Sequence, residues 1–294
     1  MDQAQSLRNI IKAGSQTPRP LARVITVTSG KGGVGKSNTS INLAIQLKKM
    51  GYKVIILDAD FGLANIEIMF GTIPKYNLCD LIYQGKNIKE IITWGPNDVG
   101  FISGGSGITG MANLSREYLT YIIQNLAELD AIADVIIVDT GAGISDAVME
   151  FLVASGEILL VATPEPTSIT DSYSLLKALS KHPRYKMEDT KIKVVANRVE
   201  REEDGAALFQ KLNVVVERYL KLPMTYLGAI PQDAQLSKAV MQQMPVSIAH
   251  PKAKSAIAYE QMAKALTNVE LNQDLKKRGM AGFFSHIITG KKFG

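Results

Sequence analysis

The sequence predicts a doubly wound, mainly parallel α/β domain, and two observations carry this prediction. Short apolar runs typical of strands alternate with stretches of helical periodicity from residue 23 to about residue 272. A glycine-rich loop at residues 30–37 lies between the first strand pattern and the first helix pattern, which is the order found in a P-loop domain. With 294 residues and 46% hydrophobic content, the chain can form one large core. The strand patterns cover residues 23–29, 53–60, 135–139, 158–163, 192–196 and 225–230.

The loop reads Gly-Lys-Gly-Gly-Val-Gly-Lys-Ser and leads into a helix pattern. Glycines let backbone N–H groups converge on phosphate oxygens at a helix N-terminus, where the helix dipole favours an anion. Lys36 is expected to reach the β- and γ-phosphates, and the hydroxyl of Ser37 to bind Mg²⁺. The predicted phosphate-binding residues are Gly32, Gly33, Val34, Gly35, Lys36, Ser37 and Asn38.

A second lysine, Lys31, lies near the start of the loop, where an ordinary P-loop does not need one. The form Lys-Gly-Gly-x-Gly-Lys-Ser resembles the deviant Walker A motif of the MinD/ParA family of ATPases, whose fold is similar to that of the nitrogenase iron protein. The resemblance implies that two copies of the chain enclose ATP, and that Lys31 crosses the interface to contact the nucleotide of the other copy. A solvated loop lysine is the alternative.

Three acids lie at the carboxyl ends of strand patterns. Asp58 and Asp60 are two residues apart at the end of the second pattern, and Asp139 ends a run of four apolar residues in the manner of a Walker B motif. Ligands of open parallel sheets bind at the carboxyl ends of strands, so Asp139 is predicted to hold Mg²⁺ through a water, with Asp58 nearby. The family pattern Asp-x-Asp-x-Gly-x-x-Asn, matched through Gly62 and Asn65, implies that Asp60 positions and activates the attacking water. Two solvated loop acids are the alternative.

The ends of the last two strand patterns are predicted to hold the base. The side-chain amide of Asn197 can donate and accept hydrogen bonds, which suits the edge of adenine. The resemblance implies that Asn197 and Arg198 contact the base, with Pro231 and Asp233 on the other wall of the pocket. The guanine-reading sequence Asn-Lys-x-Asp is absent, which points to ATP rather than GTP.

The C-terminal end is basic and amphipathic. Five of the 33 basic residues follow Asp274 and no acid does, so the rest of the chain is balanced at 28 basic and 28 acidic residues. Apolar side chains recur at i, i+3, i+4, i+7 and i+8, the pattern of a helix that lies in the interface of an anionic phospholipid membrane. These residues are Met280, Phe283, Phe284, Ile287 and Ile288. A terminal helix packed on the domain core is the alternative.

The N-terminal end combines a short amphipathic helix pattern with a linker that has prolines at positions 18 and 20. The sequence Asp-Gln-Ala-x-x-Leu-Arg resembles the activator segment of the FlhG-type flagellar-number regulators (YlxH/FleN), a branch of the MinD/ParA family. The resemblance implies that this segment binds the SRP-type GTPase FlhF and stimulates its hydrolysis. The residues concerned are Asp2, Gln3, Ala4, Leu7 and Arg8. A plain N-terminal arm is the alternative.

Cysteine content and hydropathy indicate the compartment. The single cysteine, Cys79, excludes a disulfide framework within the chain and indicates a reducing environment. The sequence has no secretory signal and no apolar run of about 18 residues. We therefore expect a cytoplasmic protein that is peripheral on the inner face of the cell membrane when ATP is bound.

Together these features predict a slow, switch-type ATPase in three parts: an activator segment and linker at 1–20, a P-loop domain at 21–274 and a membrane-targeting tail at 275–294. The resemblance implies an ATP-dependent homodimer that regulates flagellar number or placement, with flagellar switch (C-ring) proteins as further candidate partners. The predicted catalytic residues are Lys31, Lys36 and Asp60. Two other interpretations stay open: a ParA-like DNA-partitioning ATPase, whose tail binds nucleic acid, and a MinD division-site regulator.

Overall fold

The computed structural model describes residues 21–60, 65–105, 124–268 and 279–289. Besides the basic residues that follow Asp274, two sequence-based predictions fall outside these residues. One is Gly62 of the acidic motif. The other is the N-terminal activator segment, which consists of Asp2, Gln3, Ala4, Leu7 and Arg8.

One sheet forms the centre of the described structure. Its strands are β1 Arg23–Ser29, β2 Val54–Ala59, β3 Thr93–Trp94, β4 Gly100–Ile102, β5 Val135–Ala142, β6 Glu157–Ala162, β7 Lys191–Val199 and β8 Met224–Pro231. They lie in the order β3-β4-β2-β5-β1-β6-β7-β8. Only the pairing of β3 with β4 is antiparallel among these strands. The predicted doubly wound, mainly parallel α/β fold is confirmed.

Helices cover both faces of this sheet. They are α1 Lys36–Lys49, α2 Asn65–Phe70, α3 Leu78–Gln84, α4 Ile88–Ile91, α5 Leu129–Ile132, α6 Asp146–Ala154, α7 Pro166–Lys181, α8 Glu202–Leu220, α9 Ala234–Met241, α10 Val246–Ala249, α11 Lys254–Thr267 and α12 Gly279–Thr289. Alternate strand residues point to opposite faces, so α1 and α11 share one apolar core, whereas α5 to α8 and α12 pack on the other face.

The central strands bring the predicted site together. The residues of β2 and most of those of β5 are buried, as expected for parallel strands covered on both faces. Asp58 of β2 is in register with Asp139 of β5, and Asp139 is in register with Val27 of β1. Because parallel strands end at the same edge of the sheet, the loop after β1 and both acids meet at that edge.

The structure corrects one prediction about the C-terminal helix. The stripe is not exposed, since Met280 is 0%, Phe283 and Phe284 are each 1%, and Ile287 is 8% exposed. The ring of Phe151 on α6 stacks against Phe283 and meets Phe284 edge-on. The alternative, a terminal helix packed on the core, is therefore what this structure has. The side chain of Ile288 lies outside the described part.

Both ends of α12 are held by polar contacts. A carboxylate oxygen of Asp130 accepts a hydrogen bond from the backbone N–H of Met280 at 2.8 Å. Nη1 of Arg184 donates to the carbonyl oxygen of His286 at 2.7 Å. An acid at the N-terminus and a base near the C-terminus both complement the helix dipole. Within the described residues, no helix is long and apolar enough to cross a bilayer.

A buried ion cluster joins the starts of three neighbouring strands. Glu157 is 1% exposed and accepts two hydrogen bonds from Arg23 and one from Lys193, each at 2.7 Å. Burial alone would raise the pKa of Glu157, but the two cations outweigh burial and hold that pKa below its ordinary value. The cluster therefore stabilises the fold at neutral pH, and this contribution is lost as the pH falls through the lowered pKa.

We predict that Glu157→Gln lowers the free energy of unfolding by about 3–5 kcal/mol, because it leaves two cations without their buried countercharge. Urea unfolding at neutral pH measures this loss. Glu260→Gln removes an exposed pair with Lys264 and should change stability little, so it is the matched control. Equal effects of the two substitutions would contradict a stabilising role for the buried cluster.

Candidate functional site

At two positions of the glycine-rich loop a side chain would clash with a neighbouring part of the chain. Gly35, at φ 101°, is in the left-handed region, and a Cβ built there would lie 2.2 Å from Nδ2 of Asn197. A Cβ on Gly30 would lie 2.2 Å from the backbone carbon of Asp171. At Gly32 and Gly33 a Cβ would meet nothing within 4 Å. The loop is thus anchored at both ends and open along its middle, which leaves room for phosphates at the N-terminus of α1.

Lys36 is the first residue of α1 and is only 8% exposed. Burial lowers its pKa, while the carboxylates of Asp139 and Asp60 act in the opposite direction. The structure therefore brings the predicted phosphate-binding lysine into the field of two predicted acids. A cation in this place can share its charge with phosphate oxygens once they enter the loop.

Asp139 is fully buried and oriented by α1. Oγ of Ser40 donates to its Oδ1 at 2.8 Å, and Ser37 also hydrogen-bonds to it. Burial raises the pKa of Asp139 to about 6, against the effects of Ser37, Ser40 and Lys36. Its Oδ2 is buried and has no hydrogen-bond partner among the described residues. A carboxylate oxygen that has no hydrogen-bond partner, next to a serine hydroxyl, offers ligands that fit Mg²⁺.

Asp58 and Asp60 have different environments. Asp58 is 3% exposed, and its carboxylate accepts the backbone N–H groups of Asp60 at 3.1 Å and Ile66 at 3.4 Å. Asp60 is half-buried, and its Oδ2 accepts from Nδ2 of Asn65 at 3.4 Å. Asp58 therefore shapes the turn after β2, whereas Asp60 keeps a partly open carboxylate beside Gly141, in the last part of β5.

We predict that Asp58→Asn makes the nucleotide-free, Mg²⁺-free protein more stable at alkaline pH. Burial, followed by the nearby Asp139, raises the pKa of Asp58 from 3.8 to about 8. A carboxyl group with a raised pKa stabilises the folded state at low pH. As the pH rises from 3.8 to about 8, the free energy of unfolding therefore falls by up to about 1.4 kcal/mol per pH unit. The unfolding temperature of the wild type should therefore fall with pH more steeply than that of Asp58→Asn. Asp146→Asn, at an exposed site, is the control, and parallel curves for all three proteins would contradict the prediction.

The predicted base-binding residues are only partly arranged for that role. Asn197 is 2% exposed, its Nδ2 donates to the carbonyl oxygen of Val34 at 2.6 Å, and its Oδ1 has no partner among the described residues. That oxygen can accept a hydrogen bond from an amino group such as that of adenine. Arg198 is exposed, in a left-handed conformation at φ 59°, and Pro231 is half-buried.

Both side-chain oxygens of Asp233 accept hydrogen bonds from the chain itself. Its Oδ1 accepts the backbone N–H of Gln235 at 2.9 Å. Its Oδ2 accepts both the N–H and the hydroxyl of Ser255, at 3.0 Å and 2.8 Å. Asp233 therefore fixes the starts of α9 and α11, and its contact with a base stays a prediction.

Lys31 is held by its own subunit. Its Nζ lies 2.6 Å from Oε2 of Glu165 and 3.0 Å from Oγ1 of Thr167, at the start of α7. Sequence reasoning did not select Glu165, Thr167 or Ser40. A Pro-Glu-Pro sequence directly after a strand marks Glu165, but the contact joins residues 134 positions apart, which no local pattern reveals.

Comparison with known proteins agrees with this geometry. Residues 25–246 match the family described as the CobQ/CobB/MinD/ParA nucleotide binding domain. Antiactivator FleN of Pseudomonas aeruginosa is 39% identical over 282 residues, which cover 94% of this chain and 98% of FleN. The flagellum site-determining protein YlxH of Helicobacter pylori is 34% identical, with 90% of each chain covered. The septum site-determining protein MinD complexed with Mg-ADP from Pyrococcus horikoshii has a similar fold, with a TM-score of 0.66, 23% identity and coverage of 85% of this chain and 98% of that one.

Proposed function

Because the chain belongs to the CobQ/CobB/MinD/ParA nucleotide-binding family and, within it, to the FleN/YlxH flagellar regulators, we propose that it is a slow ATPase that works as a membrane-associated switch. In this proposal an ATP-bound dimer forms on the inner face of the cell membrane and regulates flagellar number or placement. The observation that carries it is the cluster of Lys36, Asp60 and Asp139 around an open glycine loop.

The site fits ATP and Mg²⁺. The backbone of residues 32–35 cradles the phosphates, Lys36 neutralises phosphate charge, and Oδ1 of Asn197 accepts from the adenine amino group. Ser37 and Asp139 would hold Mg²⁺, which would neutralise phosphate charge.

Hydrolysis is assigned to the side chains around the γ-phosphate. Asp60 hydrogen-bonds to the attacking water and accepts its proton, and Asn65 holds the carboxylate of Asp60 in place. Lys36, together with Lys31 from the second copy, stabilises the charge that develops on the phosphate oxygens. Asp139 stays ionised because Ser37, Ser40 and Lys36 all favour its charged form.

Lys31 links nucleotide binding to dimerisation. Its contact with Glu165 is an ion pair between side chains that are 36% and 51% exposed. Exposed ion pairs stabilise a protein little, so this lysine can exchange its own Glu165 for the phosphates of a second copy at small cost. ATP then contributes anionic oxygens across the interface, and its hydrolysis removes them and lets the dimer dissociate.

Membrane binding requires α12 to leave the core. Docking and interfacial insertion bury the same apolar side chains, each of which contributes roughly 1.5–3 kcal/mol when fully buried. Smaller contributions to the free energy therefore decide whether α12 is docked on the domain or inserted in the membrane interface. Contacts of Asp130 and Arg184 with the helix ends favour docking. Basic residues near anionic lipid contribute about 1 kcal/mol each, and two helices on one dimer bind together, so the ATP-bound dimer favours the membrane.

The N-terminal segment has a second function in this proposal, which is to act on a partner protein. We assign Asp2, Gln3, Ala4, Leu7 and Arg8 to binding and stimulating the SRP-type GTPase FlhF. Flagellar switch proteins are proposed as additional partners that read the nucleotide state. The support for both assignments is membership of the flagellar branch together with the sequence of this segment.

Sedimentation with anionic liposomes tests the proposal on the full chain. We expect pelleting in ATP but not in ADP, and loss of ATP-dependent pelleting in Lys31→Ala. Lys252→Ala, which removes an exposed surface lysine, is the matched control and should pellet like the wild type. Pelleting in neither nucleotide would contradict the membrane assignment. In that case a salt-dependent DNA titration would test the partitioning alternative.

A further inference from the structure

Ser40 is a buried serine whose hydroxyl meets the carboxylate of Asp139. It lies on α1, is 0% exposed, and donates from its Oγ to Oδ1 of Asp139 at 2.8 Å. Ser37, three residues earlier on α1, hydrogen-bonds to the same carboxylate. Residues three apart are neighbours on the surface of a helix, so one face of α1 presents both serines to this acid. Ser40 lies beyond the glycine-rich loop, and the phosphate-binding pattern does not include it.

The two side-chain oxygens of Asp139 have different surroundings. Oδ1 accepts the hydrogen bond of Ser40, whereas Oδ2 is buried and has no hydrogen-bond partner within the part of the chain that the structure describes. A buried polar atom without a partner is uncommon in a folded protein and marks a place that an ion or ligand can complete. Rotation of the carboxylate about χ2 would exchange the two oxygens. The hydrogen bond from Ser40 opposes that rotation and keeps the same oxygen open.

The helix that carries Ser40 is itself held in place. Oδ1 of Asn42 accepts the backbone N–H of Ser247 at 3.0 Å. Nε2 of Gln46 donates to Oγ of Ser247 and to the carbonyl oxygen of Ala256, each at 3.2 Å. These buried contacts fix α1 against α10 and α11. Ser40 therefore presents its hydroxyl to Asp139 from a rigid element rather than from a loop.

We propose that Ser40 is a positioning residue that sets the affinity of the site for Mg²⁺, because it holds Asp139 in the orientation that leaves Oδ2 free. This rests on the Mg²⁺ site put forward under the proposed function, in which Ser37 and Asp139 are the ligands. Ser40 acts through the carboxylate and contacts neither the ion nor the nucleotide. Removing a hydrogen-bond partner of a metal-ligating group typically lowers metal affinity by about 10–100-fold.

The Mg²⁺ dependence of ADP binding to the full chain tests this proposal, with a fluorescent ADP analogue as the probe. In the wild type, ADP should bind more tightly as Mg²⁺ is added, and the concentration that gives half of this effect reports the affinity for the ion. In Ser40→Ala that concentration should rise by about tenfold or more. ADP affinity in EDTA should stay unchanged, because the phosphate loop is intact. Ser40→Thr keeps a hydroxyl and should restore most of the affinity for Mg²⁺.

A second buried serine supplies the matched control. Ser155 is 0% exposed, and its hydroxyl donates to the carbonyl oxygen of Phe151 at 2.6 Å. It precedes β6, so it lies at the edge of the sheet opposite to the phosphate-binding edge. Ser155→Ala should lower the free energy of unfolding, measured with urea, and leave the Mg²⁺ dependence unchanged. Ser40→Cys keeps the size of the side chain with a weaker donor, and it replaces Ser40→Ala if that chain does not fold.

Three results would count against the proposal. A wild-type Mg²⁺ dependence in folded Ser40→Ala would show that the hydroxyl only satisfies a buried acid. An equal loss of ADP affinity in EDTA and in Mg²⁺ would show that Ser40 shapes the phosphate loop instead. In both cases the Mg²⁺ site of the proposed function still stands. ADP binding by the wild type that does not respond to Mg²⁺ would contradict that site, and the role of Ser40 with it.

Discussion

Replacing Asp60 with alanine is expected to slow ATP hydrolysis by about 10²–10⁴-fold, the usual contribution of a positioned acid–base group. Nucleotide binding should persist, because the proposed phosphate contacts come from the loop backbone and Lys36 rather than from this carboxylate. The variant should therefore remain on anionic liposomes in ATP for much longer than the wild type. Single-turnover hydrolysis and the rate of release from liposomes measure the two effects.

The environment of Asp60 supports this expectation. Its carboxylate is half-buried beside Gly141 and held by Asn65, whereas Asp58 is enclosed and engaged by two backbone N–H groups. Asp60→Asn keeps the shape but cannot accept a proton, so it should be nearly as slow as Asp60→Ala. Glu203→Gln, an exposed change on α8, is the control.

Two outcomes would contradict the role of Asp60. Hydrolysis at the wild-type rate in Asp60→Asn would show that the proton is accepted elsewhere. Loss of ATP binding in both variants would show that Asp60 organises the nucleotide pocket rather than the water.

The sheet and the phosphate-binding edge could be predicted because their signals are local. Residues 135–138 are four consecutive β-branched apolar residues followed by Asp139, and such runs are typical of parallel strands covered on both faces. The glycine loop carries its own conformational requirement, visible at Gly35. β2 and β5 are parallel neighbours in the sheet, so Asp58 and Asp139 meet at the edge where both strands end.

Contacts between distant residues could not be predicted in the same way. Asp233 accepts hydrogen bonds from Ser255, and Lys31 donates one to Glu165. Both contacts depend on how elements distant in the sequence pack together, and no local sequence pattern gives that packing. The burial of Phe283 has the same cause. A helical stripe of apolar residues fits a membrane interface and a protein groove equally well, and Phe151, which forms part of that groove, lies far away in the sequence.

The substitutions Phe283→Asp and Phe284→Asp are expected to act on two properties at once. In the nucleotide-free protein they place two carboxylates in an apolar groove, so α12 should leave it and the free energy of unfolding should fall by at least about 3 kcal/mol. The loss is limited by the docking free energy of α12, because the rest of the domain can stay folded without it. Val214→Asp with Ile257→Asp makes the same chemical change at sites that are 63% and 43% exposed, and should have a much smaller effect.

In ATP the same pair should abolish pelleting with anionic liposomes, since the helix that inserts has lost its aromatic side chains. A second pair separates this effect from simple damage to the core. Asp130→Ala with Arg184→Ala weakens both ends of the docked helix and leaves its apolar stripe intact. We expect these two substitutions to increase pelleting and to produce some pelleting even in ADP.

The two pairs should therefore shift membrane binding in opposite directions while both lower stability. If α12 served only as part of the core, both pairs of substitutions would lower stability, and neither pair would change pelleting with liposomes. ATP-dependent pelleting that survives Phe283→Asp and Phe284→Asp would place the membrane contact elsewhere on the chain. Because docking and insertion use the same side chains, only opposite signs in the two pairs show that α12 exchanges between the groove and the lipid.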